Sequence, residues 1–376
     1  MGVSERENIV CDVLKCLERR LGDYYSSVFQ EPLQTLTPFR LIERPFSVIL
    51  FLAARSPSGL RRFVAKKVVH HQANLSVVRE KNQAVVEYTV LSKLHPLYQQ
   101  VPRCSVPQPI FVVPELELCV IGCVEGEMLV DRLRYVRFFT SVKGFRNLCQ
   151  SYFDCGRWLR HFQEYTGITL KTVNTFESVL QRCYERVQSL EQSAQGRIPK
   201  NFCAAIMDWL TEKIRGLEGY PVEVAGRHGD FGPWNVIAGT NGITVIDFLG
   251  YKEEPVFVDV AHWLMTISDE NVGLLNSKGR LSELRRQFLL GYAREIDFGS
   301  LAFVICEAVQ RVISMLGCVV HPTKQYHHRI EAQRRFKRHV RWFQLRMEEV
   351  STCPKRFNDR VGSKALAGNG CQDIKR

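Results

Sequence analysis

The sequence predicts an α+β fold with two lobes, a small β-rich lobe first and a larger, mostly helical lobe after it. Residues 47–54 and 63–69 are apolar runs on either side of a turn at 56–59, which indicates a hairpin near the N-terminus. Residues 130–220 and 252–350 supply most of the segments in which apolar side chains recur at helical spacing. A chain of 376 residues is long enough to bury a core in each lobe.

The most informative segment reads HGDFGPWN over residues 228–235, and VIDF follows over residues 245–248. Asn235 lies five residues after Asp230, and Asp247 lies twelve residues after Asn235. Glycines allow a tight turn ahead of the motif, and its proline keeps the loop from forming a regular helix. The segment is therefore predicted to be a loop that presents polar side chains.

Two short β-branched runs follow the loop and predict a second hairpin. They cover residues 236–238 and 243–246 and are joined by Gly-Thr-Asn-Gly, in which an Asn-Gly pair is a strong hairpin signal. Asn235 then lies at the start of the first strand and Asp247 at the end of the second. The hairpin would bring both side chains within reach of one ion. An amide oxygen with a carboxylate suits Mg²⁺, which takes few protein ligands and binds phosphate oxygens besides.

Together these side chains have the arrangement that a phosphoryl-transfer enzyme needs. Asp230 would orient an attacking hydroxyl, while Asn235 and Asp247 would hold Mg²⁺ against the phosphates of a nucleotide. The catalytic loop of protein kinases has the same offset between its Asp and its Asn, and a metal-binding Asp follows at a similar distance. Each residue alone has an ordinary alternative as a turn or capping residue, so the prediction depends on their joint spacing. We expect His228 to be structural and to fix the loop by hydrogen bonds.

Two neighbouring lysines of the first hairpin are candidates for a buried charge. Lys66 and Lys67 lie in one apolar strand on opposite faces, so one of them should point inward, and a buried lysine is costly unless it is paired. The alternative is that both are edge-strand lysines that discourage aggregation. Glu87, on a segment with helical spacing over 86–94, is the candidate partner; a solvated surface Glu is its alternative, and Glu80 is a weaker competitor.

These residues resemble those of the aminoglycoside phosphotransferase and choline kinase family, which are small-molecule kinases with a protein-kinase-like fold. The family pattern is H-G-D-x-x-x-x-N, a hairpin, I-D-[FW] and a D-[LV]-A segment, and here it covers 228–235, 246–248 and 259–261. Segments that resemble other landmarks of the family are found at 62–66, 87–94, 106–109 and 124–129. The resemblance extends over residues 40–345 and is most specific over 228–262.

The resemblance implies transfer of the γ-phosphate of ATP, or of GTP, to a hydroxyl group. It makes Asp230 the catalytic residue and Asn235 and Asp247 the ligands of Mg²⁺ beside the nucleotide. The adenine would lie against residues 121–126, between the lobes. Asp259 would brace the catalytic loop rather than touch the substrate.

The resemblance also implies a phosphate-binding lysine that is oriented by Glu87. The order of residues in the family favours Lys66 as that lysine. An alignment on V-A-I-K favours Lys67, so both alternatives stay open at this point.

The chain departs from protein kinases in the glycine-rich loop, which covers the phosphates in those enzymes. No G-x-G-x-x-G occurs between residues 30 and 65, and the turn expected before the first strand reads LIERPF over 41–46. Arg44 could supply a charge in its place. The sequence leaves the phosphate cover otherwise unassigned.

The resemblance divides the chain into four predicted segments. Residues 1–30 would form an N-terminal helical extension, and residues 31–123 the N-lobe with its nucleotide-binding sheet and helix. Residues 124–350 would form the C-lobe, which contains the catalytic loop, the metal site and the substrate helices. Residues 351–376 are polar, basic and contain glycine, which predicts a disordered tail.

The composition argues against several other classes of protein. Thirteen cysteines occur without a C-x-x-C pair, which is typical of reduced thiols rather than of disulfides or a zinc site. The most apolar long run, residues 301–320, is interrupted by Glu307, Gln310 and Arg311, which predicts a buried helix rather than a membrane span. The N-terminus carries no apolar signal region, so we expect a cytoplasmic protein without a transmembrane segment.

A net charge of +12 is concentrated in part on residues 321–346, which predict one long helix with an apolar stripe and a basic face. The plain interpretation is a packed terminal helix whose basic face is solvated. The alternative is peripheral contact with an anionic surface, such as the inner face of a membrane or a polyanionic glycan. No nucleic-acid-binding module is visible, so nucleic acid ranks low as a partner.

The sequence does not identify the hydroxyl that receives the phosphate. In the family the helical insertions of the C-lobe set the acceptor, and the positive charge of this chain favours a sugar or a glycan- or lipid-linked alcohol over a cationic small molecule. Two other functions stay open. One is a nucleotide-binding pseudokinase or scaffold. The other is a protein kinase, against which the His-Gly-Asp sequence and the missing A-P-E segment argue.

Overall fold

The computed structural model describes residues 3–44, 47–69, 82–138, 141–172, 176–194, 197–269, 278–320 and 326–352. The predicted α+β class, with a small β-rich lobe and a larger helical lobe, is confirmed. Glu80 lies outside the described residues, and so does the predicted tail from residue 353 onward. The boundaries of the four predicted segments stay a prediction.

Helices make up most of the chain after the first sheet. In order, the helices of the described residues are α1 (Val3–Tyr24), α2 (Gln83–Tyr98), α3 (Leu129–Phe138), α4 (Val142–Thr166), α5 (Glu177–Ser193), α6 (Phe202–Arg215), α7 (Phe257–Asp269), α8 (Lys278–Tyr292), α9 (Leu301–Val320) and α10 (Tyr326–Thr352).

The strands of the described residues form three sheets. In order, they are β1 (Thr35–Arg44), β2 (Ser47–Ser56), β3 (Gly59–Val68), β4 (Cys104–Ser105), β5 (Pro109–Val113), β6 (Leu118–Gly122), β7 (Glu127–Met128), β8 (Thr169–Lys171), β9 (Val222–Arg227), β10 (Val236–Gly239), β11 (Gly242–Val245) and β12 (Lys252–Pro255). The strand orders are β1-β2-β3-β6-β5, β4-β11-β10-β7 and β12-β9-β8.

The first sheet is antiparallel and contains the predicted N-terminal hairpin, which is confirmed as β2 and β3. The turn predicted at 41–46 is wrong for residues 41–44, because these residues belong to β1, which pairs with β2 up to Arg44 opposite Ser47. Most residues of β1 are exposed, since it is an edge strand. It therefore carries no regular apolar alternation by which the sequence could have revealed it.

The two faces of this sheet pack against different helices. On one face, Leu17 and Leu21 of α1 lie four residues apart and are buried against Leu52 and Phe63. On the other face, α2 packs through Ala84 and its neighbours against the apolar side chains of β3, β5 and β6. The second face is the one that also carries Lys66, so α1 supports the sheet from the side away from the candidate site.

The predicted second hairpin is confirmed as β10 and β11, in which Val236 pairs with Val245. Its central pair is Thr240 and Asn241 rather than Asn241 and Gly242, because Gly242 already begins β11, with a φ of 120°. The antiparallel pairing brings the residues just before β10 and just after β11 together. The amide of Ile246 donates to the carbonyl of Asn235 at 3.0 Å.

A column of stacked aromatic rings anchors the loop at 228–235. Phe231 of this loop lies between Trp158 of α4 and Trp263 of α7, at ring-centroid distances of 5.3 and 4.6 Å. The column continues to Phe162 at one end, 5.0 Å from Trp158, and to Phe288 of α8 at the other, 5.4 Å from Trp263. All five rings are buried. Each such pair contributes about 0.5–1.5 kcal/mol beyond the burial of its area, so the column ties the loop to three helices.

Helices α4 and α8 cross at a pair of glycines. A β-carbon on Gly156 would meet backbone atoms of Phe288 and Tyr292, and one on Gly291 would meet backbone atoms of Phe153. The two helix backbones are therefore closer than any larger residue permits. This contact is the reason for two glycines inside helices, where glycine otherwise costs about 1 kcal/mol relative to alanine.

The chain divides into two compact units, Met1–Val179 with Leu217–Gln310 and Leu180–Gly216 with Arg311–Arg376. All residues of the predicted site belong to the first unit. In the second unit, Trp209 of α6 meets the rings of Trp342 and Phe343 of α10, both at 6.2 Å and edge to face. These contacts pack α6 against α10 within the second unit.

Helix α10 confirms the predicted amphipathic helix from Tyr326 onward, whereas residues 321–325 lie outside the described residues. Phe336 and Phe343 of the predicted apolar stripe are buried. Basic side chains at 334, 337 and 341 are exposed on the other side. Contact of this face with an anionic surface stays a prediction.

Among the described residues, α9 is the one helix long and apolar enough to cross a membrane by length and composition. Most of it is buried inside the protein, as in the core helix of a globular protein. Its buried residues include Gln310 and Arg311, two of the polar residues that interrupt the apolar run.

We expect Gly291→Ala to lower the free energy of unfolding by about 1–3 kcal/mol, the usual cost of forcing an extra methyl group into a packed contact. Gly279→Ala on the same helix is the matched control, because no atom of the described residues lies within 4 Å of the β-carbon position at Gly279. The control should be neutral or slightly stabilising. Urea unfolding followed by circular dichroism measures both variants, and equal stabilities would contradict the close crossing of α4 and α8.

Candidate active site

The loop that follows β9 is held by the carboxylate of Asp259, in the first turn of α7. Its Oδ2 accepts a hydrogen bond from the amide of His228 at 2.7 Å, and its Oδ1 accepts one from the amide of Gly229 at 3.2 Å. Burial raises the pKa of Asp259 to about 6, although the two amide donors act to lower it. Gly229 has a φ of 94°, and a β-carbon there would lie 2.6 Å from the carbonyl oxygen of Gly250. Asp259 therefore braces the loop, as expected.

His228 is buried and links the loop to the end of β11. Its Nδ1 accepts a weak hydrogen bond from the amide of Asp230 at 3.4 Å, so Nε2 carries the ring hydrogen and donates to the carbonyl of Ile246 at 3.0 Å. Its ring packs against Phe248 at a centroid distance of 4.8 Å. Burial lowers the pKa of His228 to about 4, which keeps the ring neutral. This geometry is that of a structural histidine.

Asp230 receives hydrogen bonds from two side chains of its own loop. The short 3₁₀ turn at Pro233–Asn235 brings the indole Nε1 of Trp234 to 3.0 Å and the amide Nδ2 of Asn235 to 2.8 Å from Oδ2 of Asp230. Among the described residues both donors bond to this one oxygen, which leaves Oδ1 for an incoming group. Burial raises the pKa of Asp230, and the donors from Trp234 and Asn235 partly offset that increase.

Lys66 lies between two carboxylates on one face of β3 and is only 8% exposed. Its Nζ is 2.6 Å from Oδ1 of Asp247 and 3.1 Å from Oε2 of Glu87. Burial opposes the charge of Lys66, but the two carboxylates outweigh that effect and raise its pKa. Burial likewise opposes the charge of Asp247, but Lys66 lowers its pKa. Lys66 and Asp247 therefore form a charged pair inside the protein.

The alternative between Lys66 and Lys67 is decided by the geometry of the strand. The two side chains point to opposite faces, and Nζ of Lys67 donates to the carbonyl of Leu116 at 2.8 Å. Burial lowers the pKa of Lys67, although the charge of Glu117 acts to raise it. Lys66 is the lysine that meets Glu87.

Glu87 connects helix α2 to both the lysine and the segment after Asp247. It is 2% exposed, and its Oε1 accepts a hydrogen bond from the amide of Phe248 at 3.1 Å. Burial raises the pKa of Glu87, and Lys66 partly offsets this increase. A shift of α2 would therefore disturb Lys66 and the backbone beside Asp247 together.

Asn235 and Asp247 supply the donor atoms that a magnesium ion prefers. Both amide hydrogens of Asn235 are directed to Asp230, at its carbonyl and its carboxylate, so Oδ1 is the atom of Asn235 that can act as a ligand. Asp247 lies two residues after the end of β11, the strand that pairs with β10. Its φ of 73° lies in a region that Asp tolerates better than most residues. An amide oxygen and a carboxylate fit Mg²⁺, which keeps water and phosphate oxygens as its other ligands. Among the described residues no group of three or more His, Cys, Asp or Glu side chains could hold a metal.

The segment predicted to meet the adenine begins on the same face of the sheet as Lys66. Lys66 pairs with Cys119 and Val64 with Ile121, so the side chains of β6 alternate in step with those of β3. Ile121 packs in the apolar cluster of that face together with Leu249. The placement of the adenine against this apolar surface stays a prediction.

Trp234, whose indole nitrogen donates to the candidate catalytic carboxylate, is not among the predicted site residues. The available signal was an N–H donor four residues after Asp230 in a loop that contains a proline. Arg44 is predicted only as a possible charge in place of the glycine-rich loop. Its guanidinium is close enough to Asp247 to contribute to the low pKa of that carboxyl, after the opposing effect of burial and the larger effects of Lys66 and His228.

We expect the stability difference between the wild type and His228→Gln to shrink as the pH falls from 6.5 to 4. A histidine whose pKa is depressed on folding, here from 6.5 to about 4, binds fewer protons in the folded state than in the unfolded state. Acid therefore destabilises the wild type through this ring, and the variant lacks that contribution. The difference in free energy of unfolding should have fallen by about 3 kcal/mol at pH 4. Denaturant unfolding of both proteins at several pH values measures it, and a difference that does not change with pH would contradict the buried neutral ring.

No protein family model and no curated protein sequence matches the chain. Several solved structures match its fold. An amicoumacin kinase, hAmiN, in complex with AMP-PNP, Ca²⁺ and Ami has a TM-score of 0.56 at 12% identity, over 90% of this chain and 96% of that chain. Choline kinase from Cryptosporidium parvum Iowa II has a TM-score of 0.52 at 12% identity, over 85% and 92%. A glucosamine kinase has a TM-score of 0.50 at 12% identity, over 85% and 95%. The chain therefore has the protein-kinase-like fold of the small-molecule kinases that its motifs resemble.

Proposed function

We propose that this protein is a phosphotransferase that moves the γ-phosphate of ATP to a hydroxyl group of a small molecule, with Mg²⁺ as the metal. One observation carries the proposal: the buried contact of Lys66 with Glu87 and Asp247, next to the hydrogen-bonded pair of Asn235 and Asp230. These groups are the lysine, the metal ligands and the carboxylate that phosphoryl transfer from a nucleotide needs.

Lys66 is the residue that would hold the nucleotide phosphates. Its ammonium group already lies beside Asp247, the candidate metal ligand, so the phosphates and the metal would share one small volume. Glu87 keeps the lysine oriented and charged. The metal would neutralise the charge of the phosphates, and Asn235 with Asp247 would hold it there.

Asp230 is the residue that would orient the acceptor hydroxyl and accept its proton. Desolvation of its carboxylate raises its pKa, which makes it a stronger base than an aspartate surrounded by water. The donors from Trp234 and Asn235 fix the rotamer of its carboxylate. Positioning and charge neutralisation account for most of the acceleration in this chemistry, and both depend on such fixed groups.

The acceptor that we propose is a sugar hydroxyl, or an alcohol linked to a glycan or a lipid. The matched structures are named as kinases of amicoumacin, choline and glucosamine, which supports a small molecule in general. The net charge of +12 favours a neutral or anionic acceptor over a cationic one. We place the reaction in the cytoplasm, where ATP is available.

The proposal is tested by incubating the purified protein with γ-labelled ATP, Mg²⁺ and fractions of an extract from its native cell. The fractions contain small molecules, lipid-linked glycans or proteins. We expect label in one of the first two fractions, and Asp230→Asn should abolish it. Label confined to the protein fraction would indicate a protein kinase. No label in any fraction, from protein that still binds Mg-ATP, would indicate a pseudokinase or scaffold.

Two neighbouring lysines provide the matched pair for the same assay. Lys66→Met should reduce the rate of transfer by about 10²-fold or more, because it removes a fixed positive charge from the phosphates. Lys67→Met should stay within a few-fold of the wild type, since Lys67 bonds to Leu116 on the opposite face. Lys66→Met also leaves Glu87 and Asp247 buried without their cation, so its folding is checked by thermal unfolding. Equal losses in both variants would contradict the assignment.

A further inference from the structure

Arg44, the last residue of β1, lies on the same face of the sheet as Lys66. Ile42 pairs with Ile49, and Ile49 pairs with Lys66. The side chains of directly paired residues point to the same face, so Ile42 shares the face of Lys66. Side chains alternate with a period of two residues along a strand, so Arg44 lies on the same face as Ile42. The sheet therefore presents two cations, from different strands, on the face where the nucleotide is proposed to bind.

The strand register places Arg44 close to Lys66. Arg44 is exposed; it pairs with Ser47, and Ser47 pairs with Val68, two residues after Lys66. Two strand spacings and one strand repeat therefore separate the α-carbons of Arg44 and Lys66, which is about 12 Å. The long side chain of Arg44 can extend from the edge strand towards Lys66.

Arg44 differs from the other arginines on this face of the sheet. Arg40 lies over the ring of Phe51, 5.3 Å from its centroid. Arg62 contacts the ring of Phe39 at 5.9 Å and Glu125 at 3.9 Å. With the described residues, Arg44 makes no hydrogen bond, ion pair or ring contact, so its donors are available to a ligand.

Protein kinases cover the nucleotide phosphates with a glycine-rich loop, and the segment before β2 contains no glycine of that pattern. An arginine can take over part of this function, because its guanidinium presents a planar fork of donors and a permanent charge that match phosphate oxygens. The side chain of Arg44, extended towards Lys66, would lie beside the phosphates that Lys66 is proposed to bind.

We propose that Arg44 binds the β- or γ-phosphate of the nucleotide and supplies from β1 a phosphate contact that a glycine-rich loop supplies in protein kinases. The inference rests on the proposed function. It assigns Arg44 to direct contact with the nucleotide, not to the adjustment of Asp247. Residues 45 and 46, which connect β1 to β2, lie outside the described residues and have no part in it.

A role confined to Asp247 predicts the opposite result. If Arg44 only repelled cations from that carboxylate, its removal would make the metal site more attractive to Mg²⁺. Mg-ATP would then bind to Arg44→Ala as tightly as to the wild type, or more tightly. A phosphate contact predicts weaker binding.

The test is the dissociation constant of Mg-ATP, measured by isothermal titration for the wild type, Arg44→Ala, Arg44→Lys and Arg55→Ala. Arg44→Ala should weaken binding about tenfold or more, as expected for the loss of a hydrogen bond to a charged group. Arg44→Lys, which keeps the charge and loses the fork, should fall between Arg44→Ala and the wild type. Arg55→Ala is the matched control, because Arg55 is an exposed arginine near the far end of β2, about 26 Å along the strand from Ser47.

A second ligand separates a phosphate contact from a general defect of the site. Adenosine, measured as a competitor of Mg-ATP, should bind equally to the wild type and to Arg44→Ala. Equal losses for adenosine and Mg-ATP would overturn the proposal, and so would unchanged or tighter binding of Mg-ATP. If the wild type binds Mg-ATP and transfers phosphate, and Arg44→Ala binds Mg-ATP equally well, only the role of Arg44 is overturned. A wild type that binds no Mg-ATP overturns the proposed function as well.

Discussion

The buried ammonium group of Lys66 is the interaction on which the rest of the site depends. It lies between Glu87 and Asp247, which come from α2 and from the segment after β11, so three separate parts of the chain meet at one charge. The buried Glu87 and the half-buried Asp247 would repel each other without it. Breaking a buried ion pair by removing one partner typically costs about 3–5 kcal/mol. The positions of α2 and of the backbone at Phe248 are coupled to Lys66 because Glu87 contacts both.

The candidate catalytic loop is fixed by contacts that do not use its reactive groups. Asp259 binds the loop through backbone amides, and His228 binds it to the carbonyl of Ile246. The column of rings around Phe231 adds apolar contact with three helices. Asp230 and Asn235 are therefore held in place by their surroundings, while oxygen atoms of both remain for a ligand. Such preorganisation is what electrostatic catalysis requires.

The candidate site could be predicted from sequence mainly where its residues are close along the chain. The loop and hairpin bring Asp230, Asn235 and Asp247 together within one local segment, so their spacing carried enough information. The pairing of Lys66 with Glu87 depends on strand geometry and on a helix 21 residues away, and the residues alone left Lys66 and Lys67 as alternatives. Their opposite faces follow from the strand, but only the tertiary structure shows which face meets α2.

The features that the sequence did not reveal depend on tertiary contacts or on exposure. Strand β1 has few buried residues and thus no alternating pattern. The crossing of α4 and α8 at Gly156 and Gly291 cannot be inferred from either helix, because a glycine inside a helix has the same local signature whether or not another backbone lies against it. The donor from Trp234 to Asp230 depends on the turn that follows Gly232.

The most direct test of the central role of Lys66 is a crystal structure with Mg²⁺ and a non-hydrolysable ATP analogue. The account predicts the metal about 2.1 Å from Oδ1 of Asn235 and from a carboxylate oxygen of Asp247. It also predicts that Nζ of Lys66 leaves Asp247 for a phosphate oxygen and keeps its contact with Glu87. A bound nucleotide with Lys66 still paired to Asp247, and with no metal at Asn235, would contradict the account.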